Sequence, residues 1–265
     1  MIVLKFVRKI RTCLYLISRF RFFLLFQGCA AAFIPARFFN LRKSVFYSLD
    51  RSLQLLYKKS DDVDVVRGDA AMVSSIVRDL YAGDAGVLRF YEQFYRDGIE
   101  AWAALSGGRV VGVIWLYSGY YLANWEGYDA WLLQIEIEPT AKFVANVFVD
   151  PAWRGRGIFP LIAGNCFAAY PNDKFYSCVD ESNFSSVKSH ERVGFKCCGA
   201  AYYVRFVKLT YCLFLARKGK WFWQWRWLKL TRGKPVSISL SHSTSTSTST
   251  STSTSTSTST STSKK

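Results

Sequence analysis

Histidine and methionine, two of each, are the scarcest residues able to serve as versatile ligands in this 265-residue chain, and proline occurs only six times. With only His190 and His242 present, no histidine-based metal set can form. The seven cysteines, Cys13, Cys29, Cys166, Cys178, Cys197, Cys198 and Cys212, contain no C-x-x-C pair. That spacing supports neither zinc nor a disulfide framework, and the odd count fits reduced, mostly buried thiols in a reducing, intracellular compartment. Long apolar runs are missing too. Residues 22–34 are apolar apart from Gln27, but about 20 such residues are needed to span a bilayer, and Arg19 and Arg21 interrupt any longer window. Acidic residues are absent from 201–265, and residues 1–59 carry only Asp50.

What is present is apolar surface and positive charge. Half the residues are hydrophobic, 17% are aromatic and the formal net charge is +16. Wholesale disorder is excluded, and the chain can bury a sizeable core. The charge is unevenly placed: residues 1–59 hold 12 basic residues, residues 201–265 hold 11, and residues 60–200 hold 12 against 18 acidic ones. The chain therefore reads as an acidic globular centre, residues 60–217, between basic flanks.

In the N-terminal extension, residues 1–59, Val3, Phe6, Val7, Ile10, Leu14 and Ile17 recur at three- and four-residue intervals, with Lys5, Arg8, Lys9 and Thr12 opposite. This is a basic amphipathic helix suited to a membrane interface. A cleaved secretory signal near Ala30-Ala31-Ala32, a spanning segment, or a helix packed on the domain are the rival readings. Residues 218–240 place Trp221, Trp223, Trp225 and Trp227 among Lys218, Lys220, Lys229 and Arg232. Tryptophan beside cations suits a bilayer interface; a plain packing strand and base stacking on nucleic acid are the alternatives, nucleic acid being the least favoured. Peripheral contact through residues 1–40 and 218–232, at the inner face of the cytoplasmic membrane, is the expectation. Residues 241–265 are dominated by Ser-Thr alternation, which cannot bury apolar surface and is expected to be disordered.

The centre reads as a strand over 62–67, helices over 69–80 and 86–96, and strands over 100–105 and 109–117 joined by Ser106-Gly107-Gly108. After a loop rich in Gly, Tyr and Trp, residues 131–138 alternate as a half-buried strand, and residues 142–149 are apolar on both faces except at Asn146. Asn146 either lines a site or satisfies a buried backbone group. Arg154-Gly155-Arg156-Gly157-Ile158 then leads into an apolar helical run over 159–170. Strand, glycine turn, helix is an anion-binding arrangement, because glycines admit a close ligand and the first helical turn has unpaired N–H groups; Pro160 fits that turn. A tight turn with two solvated arginines would read the same. A strand over 174–179, a helix capped by Asn183 and closed by Gly194, and strands over 201–209 and 211–216 complete the region.

Val147-Phe148-Val149-Asp150-Pro151, the Arg154 to Ile158 turn, then Asn183, Ser186, Glu191 and Val193-Gly194-Phe195 resemble the GNAT superfamily of N-acetyltransferases, over about residues 60–217. The resemblance implies a mixed α/β fold whose splayed mixed sheet, flanked by helices, wedges acetyl-CoA between two central strands. Val147, Phe148 and Val149 would offer backbone groups to pantetheine and thioester. Arg154, Gly155, Arg156, Gly157, Ile158, Phe159 and Pro160 would cradle the pyrophosphate, and Asn183 would line the CoA arm. No metal is implied. Phe159 stands where the family usually has a second Gly or Ala, and His190 stands where a tyrosine is common, seven residues after the Asn.

Acetyl transfer to an amine by direct attack in a ternary complex needs a donor for the thioester oxygen, a base for the ammonium and an acid for the thiolate. By its position, His190 is the candidate acid. Glu136 and Glu138, read on a strand beside the cofactor strand, are candidate bases; a solvated strand face, or water as base, is the alternative. The acceptor is a small-molecule or peptide amine. A catalytically degenerate domain that binds acyl-CoA or a partner is the second functional reading.

Overall fold

The computed structural model describes residues 39–49, 62–123, 133–206, 209–218, 222–230 and 236–239. In chain order these form β1 (Phe39–Leu49), β2 (Asp64–Arg67), α1 (Ala70–Leu80), α2 (Ala85–Arg96), β3 (Glu100–Ser106), β4 (Arg109–Tyr117), β5 (Tyr120–Ala123), β6 (Leu133–Glu136), β7 (Ala141–Val149), α3 (Ile158–Ala169), β8 (Lys174–Asp180), α4 (Phe184–Val193), β9 (Lys196–Phe206), β10 (Leu209–Lys218), β11 (Phe222–Leu230) and β12 (Val236–Ser239). Local chemistry sets several boundaries. The Asp69 carboxylate caps α1 by accepting the Met72 amide at 2.8 Å. The β3–β4 turn uses Gly107 and Gly108 at φ 55° and 78°, values an L side chain resists.

Nine strands form one mixed sheet in the order β11-β10-β9-β1-β8-β7-β4-β3-β2, and β12-β6-β5 form a second, small sheet. Helices α1 and α2, with the small sheet, bury Val73, Ile76, Tyr91, Leu133 and Ile135 on one face of the large sheet. Helices α3 and α4 bury Ile162, Cys166, Val187 and Val193 on the other. Central strands therefore feed two cores: Val113 and Trp115 of β4 face the first, Ile114 and Leu116 the second. This double covering is why they read as apolar throughout.

The expected division at residue 60 runs through this sheet. β1, drawn from the basic flank, pairs antiparallel with both β8 and β9, and Phe46 is fully buried. Both faces of β1 are covered, so Ser44, Val45, Phe46 and Tyr47 are all buried and no in–out alternation marks the strand. At the other end, β11 pairs with β10 and β12 adds in parallel to β6. The expected N-terminal amphipathic helix and the Ser-Thr tail lie outside the described residues. Among the described residues, no helix is long and apolar enough to cross a membrane, and no group of three or more His, Cys, Asp or Glu is placed to hold a metal.

Candidate active site

The two parallel central strands keep their ladder for only four residue pairs, from Ala141 with Lys174 to Val144 with Ser177. Beyond that point they part. On its other edge, β7 shifts register against β4 between Val113 and Trp115, where Asn146 adopts φ 49°. An Asn tolerates this left-handed backbone better than most residues. Its side-chain amide donates to the Tyr117 hydroxyl at 2.6 Å, and burial raises the Tyr117 pKa, so the phenol stays protonated. The bulge frees backbone groups of β7 from the ladder just where the strands diverge.

A cleft of about 530 Å³ opens in the gap, between Val147, Phe148 and Val149 of β7, the start of α3, and Asn183, Ser186 and His190 of α4. A short 3-10 turn, Pro151–Trp153, leads into the glycine loop. Gly155 and Gly157 both have φ 80°, and Gly157 is the N-cap of α3. The first-turn amides, including Ile158 and Phe159, have no partner four residues back; Pro160 has no N–H to leave unpaired. Arg154 donates from Nε to the Val149 carbonyl at 3.1 Å and lines the cleft with Arg192. Arg156 instead lies over the Trp153 ring, 4.9 Å from its centroid.

α3 can approach the sheet closely because β4 carries Gly112 beneath it. A Cβ there would meet Ile158 Cγ2 at 2.7 Å. Phe159 lines the cleft with a buried ring packed against His190, the centroids 4.8 Å apart.

His190 is 2% exposed and forms the rear wall of the cleft. Its Nδ1 donates to the Ser186 carbonyl at 2.8 Å, its Nε2 meets Ser177 Oγ at 2.9 Å, and Ser177 Oγ also reaches the Val144 carbonyl at 2.9 Å. Tyr47 of β1 stacks on the ring. Burial lowers the imidazole pKa, against the pull of the Ser186 carbonyl. His190, the expected proton donor to a thiolate, thus lines the cleft with both ring nitrogens within hydrogen-bonding distance of internal partners.

The two glutamates are also displaced from their expected role. β6 belongs to the small sheet, and the neighbours of β7 are β4 and β8. Glu136 is exposed opposite Tyr120. Glu138 lies 3.8 Å from Lys174, near the start of β7, and the six residue steps from Ala141 to Val147 span about 20 Å of strand. Asn183 caps α4 by accepting the Ser186 amide at 3.2 Å, with Gly194 at φ 97° closing the helix, and it lines the cleft. Ser177 and Tyr47 were not singled out from the sequence. Ser177 had a signal of the same kind as Asn146, a polar residue within an apolar central strand.

Residues 71–195 match the family model described as the Acetyltransferase (GNAT) family. This stretch forms a GNAT acetyltransferase domain. No curated protein matches the chain. Solved structures similar to it include a functionally unknown conserved protein from Staphylococcus epidermidis, 14% identical, covering 63% of this chain and 62% of that one with a TM-score of 0.49. A GNAT-family acetyltransferase from Colwellia psychrerythraea is 14% identical over 63% of this chain and 56% of its own, with a TM-score of 0.42. A structure of AAC(6')-Iy in complex with the bisubstrate analogue CoA-S-monomethyl-acetylneamine is 20% identical over 51% of this chain and 90% of its own, with a TM-score of 0.38. The chain thus spans about six tenths of the length of the first two. Within the GNAT domain, the diverging strands are β7 and β8, and the glycine loop opens α3.

Proposed function

We propose that the protein transfers an acetyl group from acetyl-CoA to a primary amine, by direct attack within a ternary complex. The observation that carries this reading is the cleft between the diverging ends of β7 and β8, with a glycine-rich helix start along one side. The residues present fit the cosubstrate. A volume of about 530 Å³ lies inside the range of roughly 300–1,000 Å³ typical of small-molecule sites. The first-turn amides of α3, the positive end of its dipole and the Arg154 and Arg192 guanidiniums suit a pyrophosphate. Backbone groups freed at the Asn146 bulge suit the amide-bearing arm and the thioester carbonyl. Direct attack is favoured over an acyl-cysteine because Cys178, next to Ser177 in β8, is kept as a thiol by burial, its pKa pushed up to about 12.

Calorimetry with acetyl-CoA, paired with turnover over a panel of primary amines, tests the reading. Binding together with acetylation of at least one amine is expected. Binding without turnover on any amine would support the degenerate binding domain instead, and absence of both would overturn the cofactor reading.

A further inference from the structure

The hydrogen-bond chain at the closed end of the cleft is one proton short. A backbone carbonyl only accepts, so the Ser186 contact places the imidazole proton on Nδ1 and leaves Nε2 of the neutral ring as an acceptor. Ser177 Oγ has a single proton and faces two acceptors, His190 Nε2 and the Val144 carbonyl. It can serve only one of them. One more proton on the ring resolves the conflict: Nδ1–H donates to Ser186, Nε2–H to Ser177, and Ser177 to Val144, three donors for three acceptors. The chain adjoins the cleft: Val144 and Ser177 are the last ladder pair before the strands part and His190 lines the cleft, while Ser177 itself is 1% exposed, so a proton reaches it through water and not by contact with a substrate.

Resting on the acetyl-transfer reading, we propose that Ser177 and His190 form a proton relay that deprotonates the acceptor ammonium. Ser177 Oγ takes a proton from the ammonium through a bridging water, as its own proton passes to His190 Nε2. The freed nitrogen lone pair bonds the acetyl carbon, and the carbon–sulfur bond breaks with its electron pair on sulfur. The second nitrogen proton goes to that sulfur. The relay proton leaves to solvent with the products, so one proton is released per turnover. Facing the ring are Tyr47 from β1, Phe159 from α3, Ser177 from β8, the Ser186 carbonyl within α4, and Phe195 beyond α4; Arg154 and Arg192 line the same cleft. The burial of the ring disfavours imidazolium, so the proton is held briefly and returned readily.

Two measurements on the full-length chain test this. With an amine that the wild-type chain acetylates, kcat is followed from about pH 5.5 to 9. Ser177→Ala is expected to lower kcat by about 10²-fold and to flatten its rise with pH, with the acetyl-CoA KM changed less than about twofold; Ser177→Thr keeps a hydroxyl and recovers most of the rate. An unchanged kcat and pH profile in Ser177→Ala overturns the relay, whereas failure of the wild-type chain to bind acetyl-CoA overturns the underlying function. The second measurement needs no turnover. With only His190 and His242 in the chain, nitrogen NMR of the imidazoles should show His190 as the Nδ1–H tautomer. Ser177→Ala should lower its pKa further, since the imidazolium loses the acceptor for Nε2–H. The opposite tautomer, or an unmoved pKa, overturns the proposal.

Discussion

At the scale of single residues, His190 links folding to pH. Its folded pKa lies below the ordinary 6.5 because burial disfavours the charged ring. The unfolded chain therefore binds this proton more readily, and stability rises with pH between the folded value and 6.5. As pH falls below 6.5, folding free energy is lost at up to about 1.4 kcal/mol per pH unit until the folded pKa is reached. His190→Phe should remove that slope. Urea titrations of both proteins on either side of 6.5 provide the check, and parallel pH dependences would mean that His190 does not carry it.

At the scale of elements, the proposed pyrophosphate cradle is only as well placed as α3, and α3 is placed by a glycine of β4, four elements earlier in sequence. Gly112→Ala would put a Cβ 2.7 Å from Ile158 Cγ2, and Ile158 is buried. Overpacking of this kind costs about 1–3 kcal/mol, and here it also pushes the first turn away from the cleft. A lower melting temperature together with weaker acetyl-CoA binding by calorimetry is expected; intact affinity would show that the helix start does not depend on this contact.

The same scale shows what the sequence made legible. Helices α1 to α4 and strands β3, β4, β7 and β8 fall within a few residues of their expected positions, because caps such as Asp69 and Asn183 and turns such as Gly107-Gly108 act locally. The placement of β6 did not follow from alternation: Leu133, Ile135 and Ile137 are indeed buried, but periodicity fixes which face is apolar and not which sheet receives it. The glutamates were assigned to the site through that missing step. β5 lay hidden in a stretch read as a loop, and β1 in a flank read through its charge. His190 was found by position, while its burial depends on Tyr47, Phe159 and Phe195, which three separate elements bring around it.

At the scale of the molecule, the part of the basic N-terminal flank that forms β1 is structural. β1 fills the place between β8 and β9 and supplies Phe46 to one core and Val45, Tyr47 and Leu49 to the other. A fragment of residues 60–217 would expose the facing edges of β8 and β9 and open both cores. It should show no cooperative thermal transition and no acetyl-CoA binding. A sharp melt with retained affinity would show that β1 is dispensable.

The position of β1 also sets an order in time. Val45 pairs with Val179 and Ala200, so a strand made early must wait while more than 130 residues follow it. At about 5–20 residues per second, that wait lasts roughly 7–30 s. Until then Val45, Phe46 and Tyr47 have no sheet to join. On the ribosome, the nascent chain carries an apolar segment beside strong positive charge, a target for chaperones, and the large sheet can be completed only after β11 has been made.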